Sequence, residues 1–275
     1  SKAARRSANP LEAVELLRRA NEKYGLAVQA YTQFIQSYPN DEAAYEFRYN
    51  RADALYWSRQ YQEAARAYGD VRESNENDQY LVPSAYMAVK SQEASVRTLA
   101  QQRQRGQCLA IRSGIPASEL TDENGSPLIA ADAAEACTRA PQAGATGPAA
   151  QQVVTLNIPD PVRALMDARI AYANRVPANL DDASALRDVA QVDSEHPENN
   201  PPYRPKFAYL NARTLMRYGH VQEAVDLYTR ILETYCQDPL VAHALLAQAL
   251  DHAGTGTLGA VNTDTGHLAH DASQS

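Results

Sequence analysis

The sequence predicts an all-α protein: antiparallel helix pairs stacked as a solenoid and interrupted by an irregular insertion. Three observations carry the prediction. Alanine, the strongest helix former, supplies 49 of the 275 residues and glycine only 12. Large side chains recur at three- and four-residue steps along two long stretches, which places them on single helix faces. The third observation is an internal repeat at an offset of 160 residues.

Taken in chain order, Tyr24, Ala27, Tyr31, Phe34, Ile35 and Tyr38 line one face of a helix over 24–38. Pro39 ends it, and Asp41 is placed to cap the next. Tyr45, Tyr49, Ala52 and Tyr56 form the stripe of that second helix. The chain turns at Ser58-Arg59-Gln60, and Tyr61, Ala64, Ala65 and Tyr68 begin a third. A long helix of about 80–105 follows, whose polar end Gln101-Gln102-Arg103-Gln104-Arg105 reads as solvated.

Charge and composition divide the chain into four. The N-terminal array covers 10–105, within a stretch (1–105) of 15 basic and 13 acidic side chains. Residues 106–154 form an acidic Gly/Pro-rich insertion without a sustained apolar period. Residues 155–250 form a second array, where Asp181-Asp182 reads as the cap of a helix carrying Leu186, Val189 and Val192. Residues 251–275, with four Gly and no Lys or Arg, read as a flexible tail.

The repeat joins the two arrays. Tyr49–Val71 reads YNRADALYWSRQYQEAARAYGDV, and Tyr209–Ile231 reads YLNARTLMRYGHVQEAVDLYTRI. Tyr49 meets Tyr209, Ala52 meets Ala212, Leu55 meets Leu215, Ala64 meets Ala224 and Tyr68 meets Tyr228, with a turn of equal length between the helices. A partial third copy places Tyr24, Ala27, Tyr31 and Phe34 against Tyr61, Ala64, Tyr68 and Val71.

These residues resemble the tetratricopeptide repeat (TPR) family, which has a small residue in its first helix and an A-x₃-F/Y step in its second. Ala27-x₃-Tyr31, Ala64-x₃-Tyr68 and Ala224-x₃-Tyr228 carry that step, and Pro39 lies where the family places a terminating proline. The family's Leu before the small residue is Arg51 in one copy and Asn211 in the other. The run YTQFIQSYPNDEAAYEFRYNRADALYWSRQYQEAARAY further resembles TPR proteins of the bacterial cell envelope, including outer-membrane lipoproteins and partners of the Tol–Pal and gliding machineries. That resemblance implies a periplasmic or outer-membrane-associated scaffold; a cytoplasmic solenoid is the alternative.

The resemblance also implies a concave face lined by the first helix of each pair. Tyr49, Asp53, Tyr56 and Trp57 would lie on or near it in one copy, and Tyr209, Arg213, Met216 and Arg217 in the other. The same stripe spacing fits Tyr49 and Tyr56 as packing between repeats. Asp53 and Tyr49 stand where a carboxylate clamp for acidic peptide ends needs basic and amide groups, so chaperone-tail binding is not expected. Arg213 and Arg217, one turn apart, could hold a carboxylate or simply form a solvated face. Cys108 and Cys137 bracket the insertion, either as a disulfide in an oxidising compartment or as separate thiols. Cys236 reads as a lone packed thiol.

The expected function is non-catalytic: a protein–protein interaction scaffold or adaptor with a protein or peptide partner, no cofactor, no metal and a possible homo-oligomer. A pI of about 5.4 disfavours nucleic acid, and no apolar run is long enough to span a membrane. The chain starts at Ser1 without Met or an apolar leader core, which fits a processed start and leaves an upstream signal peptide or lipid anchor open. No P-loop, dinucleotide fingerprint or nucleophile elbow is found. Two alternatives remain: a cytoplasmic regulatory peptide-binding module, and a metal-dependent enzyme using His243, His252, His267 and His270.

Overall fold

The computed structural model describes residues 10–74, 79–102, 104–122, 125–141, 153–181 and 202–235. The fold is all-α. Among the described residues it comprises α1 (Pro10–Ser37), α2 (Ala43–Trp57), α3 (Tyr61–Glu73), α4 (Leu81–Gln102), α5 (Gln104–Arg112), α6 (Ala131–Thr138), α7 (Asp160–Arg175), α8 (Tyr203–Arg217) and α9 (Val221–Tyr235). Two 3₁₀ turns, Ala117–Glu119 and Ala178–Leu180, and one isolated bridge between Thr121 and Pro127 complete it.

Helix α1 starts well before the predicted residue 24. Its first turns carry Leu11, Val14, Leu17 and Ala20 at three-residue steps and are laced by Glu15 to Arg18 and Arg19 and by Glu22 to Arg18 on the exposed side. It ends ahead of Pro39 as predicted, and Asp41 Oδ1 accepts the Ala43 N–H at 2.9 Å at the entry to α2. The α2–α3 turn closes by two backbone bonds, Arg59 N–H to Tyr56 O and Gln60 N–H to Leu55 O, both 3.0 Å. That pattern is a Schellman turn, and it holds Arg59 at φ 64°, left-handed backbone.

The second copy reproduces this. Gly219 N–H bonds Met216 O and His220 N–H bonds Leu215 O, again at 3.0 Å, with Gly219 at φ 79°. The helix crossings match too: Ala52, Ala64, Ala212 and Ala224 are each 0% exposed. Tyr49 meets the Tyr68 ring at 5.9 Å, and Tyr209 meets Tyr228 at 6.1 Å. The small residues bring the helices together and the rings fill the space beside them, so the sequence repeat is a structural repeat.

Helices α1 to α4 each pack against the next, and α7, α8 and α9 do the same; α4 packs against α7 across the insertion. The insertion corrects the prediction of an irregular segment. It contains α5 and α6, and Ala110, Ile111, Ile115, Leu120, Ala134 and Cys137 join the same apolar cluster as Tyr68, Val89, Leu165 and Phe207. Helices of nine and eight residues give barely two turns, too few for an apolar period to accumulate, and their burial depends on partners distant in sequence. Cys108 and Cys137 are joined by a disulfide that ties α5 to α6.

Asp181 has a role that the sequence does not reveal. Its carboxylate accepts the backbone N–H groups of Tyr203 at 3.0 Å and Arg204 at 2.8 Å, and the Tyr172 hydroxyl at 2.8 Å. It therefore caps α8 from 22 residues away and ties that end to α7. The helix proposed for Leu186, Val189 and Val192, as well as Cys236, the late histidines and the tail, lie outside the described residues.

Two stability predictions follow from this geometry. Arg59→Gly removes a left-handed side chain and is expected to gain about 0.5–1 kcal/mol in urea unfolding. Gly219→Ala is expected to lose more than that, because a Cβ there would lie 2.3 Å from the Val154 carbonyl oxygen. Separately, opening the Cys108–Cys137 bridge by Cys→Ser replacement should cost about 3–4 kcal/mol on the chain-entropy estimate. An unchanged urea midpoint in the Cys→Ser protein would show that the bridge does not constrain folding.

Candidate interaction face

The first-helix positions of the two copies do not share one environment. Tyr49 is half-buried and stacks on Tyr80 at 4.5 Å, so it fills space between helices. Asp53 accepts the Tyr68 hydroxyl; burial pushes its carboxyl pKa up, and that hydrogen bond works against the rise. Tyr209 lies between the Tyr228 ring and the Arg213 guanidinium, 5.5 Å above its centroid. Met216 and Arg217 are buried, which corrects their placement on an open groove. Arg217 donates to the Ile111 carbonyl of α5, and burial, then the Arg213 charge, lowers its pKa to about 10. The insertion meets Arg217 through that bond, whereas its counterpart Trp57 is exposed.

Trp57 is 53% exposed, and its ring meets Tyr56 edge-on at 5.3 Å; Tyr56 in turn meets Tyr61 at 5.5 Å. Around this aromatic shelf the fold gathers cations from other helices. Lys90 and Arg97 of α4 lie close enough to Tyr56 to act on its hydroxyl, although burial is what chiefly raises its pKa. Tyr86 of α4 and Tyr203 of α8 meet edge-on at 5.0 Å and share a side-chain hydrogen bond. Lys90 sits over Tyr86 at 6.0 Å and Lys206 over Tyr203 at 5.5 Å. Of the four lysines in the chain, two meet here. The surrounding protein, then the Lys90 charge, pushes the Lys206 pKa below the usual lysine value.

Sequence reasoning found Tyr56 and Trp57 and missed Lys90, Arg97, Tyr203 and Lys206. Helix α4 follows, and Tyr203 and Lys206 precede, the segments aligned in the repeat, 49–71 and 209–231. The scarcity of lysine was the one available signal.

Beneath the face lies a buried polar junction. Arg169 of α7, 1% exposed, donates to the Ser113 carbonyl at 2.9 Å and lies 3.5 Å from Glu93 of α4. Glu93 also pairs with Lys90 at 2.6 Å. Burial opposes the Glu93 charge, but Lys90 and Arg169 outweigh it and hold the carboxyl below its usual range. The junction thereby fixes where Lys90 stands on the face.

Compared with protein-family models, curated proteins and solved structures, the chain matches none. Among the described residues no group of His, Cys, Asp or Glu could hold a metal ion, and no helix is long and apolar enough to cross a membrane. The functional reading therefore rests on this chain's own residues.

Glu93→Gln should destabilise the fold by about 3–5 kcal/mol, because it strands a buried guanidinium. Since the folded carboxyl titrates below its unfolded value of about 4.3, its stabilisation is present above that pH and lost as pH falls through the folded pKa. Urea midpoints from pH 7 down to 3 should fall further for the wild type than for the variant; parallel curves would remove Glu93 from the electrostatic account.

Proposed function

We propose that the protein is a non-catalytic scaffold or adaptor in a bacterial envelope complex. It is built as a TPR-like solenoid and holds a protein or peptide partner on the α2–α4–α8 face. The observation that carries this is the exposed Trp57 ring resting edge-on against the partly buried Tyr56, with Lys90 and Arg97 of α4 near Tyr56. Tyr and Trp are strong interface anchors because they bury much area with few rotatable bonds, and nearby charge sets register and partner choice. The matched helix pairs support the repeat architecture. The Cys108–Cys137 bridge supports an oxidising compartment over a cytoplasmic one, where such bonds are rarely kept.

The test is a cross-linked pull-down from fractionated native cells, using the full chain and a Tyr56→Ala/Trp57→Ala bait of matched melting temperature. Envelope proteins recovered with the wild type and lost with the double variant are the expected result. A cytoplasmic protein that recovers the same partners with either bait would overturn both the compartment and the face.

A further inference from the structure

One carboxylate on this face comes from outside its three helices. Glu119, at the end of the 3₁₀ turn Ala117–Glu119, reaches from the insertion to pair with Arg97. It also acts on Lys206, whose proton affinity it raises. The turn is held from below rather than by this pair. Leu120, the next residue, is buried in the core, its carbonyl accepts the Leu128 N–H at 2.8 Å, and α5 and α6 on either side are bridged by the disulfide.

The charges on the face do not balance. Glu93 serves Lys90 and the buried Arg169 together, which leaves Arg97 and Lys206 to share Glu119; Lys206 makes no ion pair among the described residues. Spare positive charge thus stands near the partly buried Tyr56, whose ring meets the exposed Trp57, on a chain of net charge −7. Both members of the Arg97–Glu119 pair are partly exposed, at 33% and 46%, so water and salt weaken it and a competing anion can replace it.

Building on the scaffold reading, we propose that Glu119 is a tethered internal competitor on the α2–α4–α8 face, and that the partner which displaces it is a peptide segment bearing carboxylates. The partner's carboxylate takes the place of Glu119 against Arg97 and Lys206, and an adjoining apolar side chain rests on Tyr56 and Trp57. Because the insertion anchors the turn, the competitor stays at high local concentration and sets a threshold that weak acidic ligands do not cross.

Fluorescence anisotropy of a labelled Glu-Glu-Leu repeat dodecapeptide tests this, with its Gln-Gln-Leu counterpart as control and the full disulfide-bonded chain as receptor. Glu119→Gln should tighten binding of the acidic peptide by up to about fivefold, the range open to a partly exposed pair. Lys206→Gln should weaken it, added salt should weaken it in every variant, and the Gln peptide should not bind. Equal affinity of wild type and Glu119→Gln would overturn the competitor role, and equal binding of both peptides would overturn the acidic partner. If no variant binds either peptide while native partners are still lost with the Tyr56→Ala/Trp57→Ala bait, the acidic-partner proposal fails and the scaffold reading survives.

Discussion

The guanidinium of Arg169 sits where α4, α5 and α7 meet, and the remainder of the fold is arranged around that burial. An isolated buried charge is costly, so Arg169 requires Glu93 from α4 and the Ser113 carbonyl at the end of α5. Both partners lie far from it along the chain, Ser113 56 residues earlier and Glu93 earlier still. The Nη2 of one side chain thus meets both α4 and the insertion, while Nε and Nη1 find no hydrogen-bond partner among the described residues. Glu93 passes the constraint outward, since the carboxylate that neutralises Arg169 also holds Lys90 on the surface.

The surface face inherits its geometry from this core. It is assembled from α2, α4 and α8, and the helix pairing keeps the first two apart in sequence from the third. Tyr86 and Tyr203 form its floor, with a lysine over each ring. The insertion acts on the two copies of the repeat in opposite ways. Over the second copy it holds the buried Arg217 through the Ile111 carbonyl; near the first it leaves Trp57 open and sets Glu119 at the edge. Two helix pairs of matching geometry thus differ, with Arg217 buried in one and Trp57 exposed in the other.

Much of the helix-pair geometry was legible because it is local. The Ala52/Ala64 and Ala212/Ala224 crossings, the turn at Arg59 and Gly219, and the stop at Pro39 depend on residues within one hairpin, and their spacing records the contact. The insertion was misread for the converse reason. Ala110, Ile111 and Leu120 are buried by helices far along the chain, so no short window reveals that they belong to the core. The bonds from the Asp181 carboxylate to the first N–H groups of α8 span more than 20 residues, so no local spacing announces them.

By itself, the sequence determined the all-α class, the duplicated helix pair, the polar character of the chain and the pair of cysteines available for a bridge. Helix periodicity, steric demand for alanine and turn chemistry are properties of neighbouring residues, and they survive in one dimension. Only the tertiary structure decided which copy stays open, that α5 and α6 complete the core, and that Lys90, Arg97, Lys206 and Glu119 meet beside Tyr56 and Trp57. Those outcomes depend on which distant helices share a side, a relation that linear spacing does not encode.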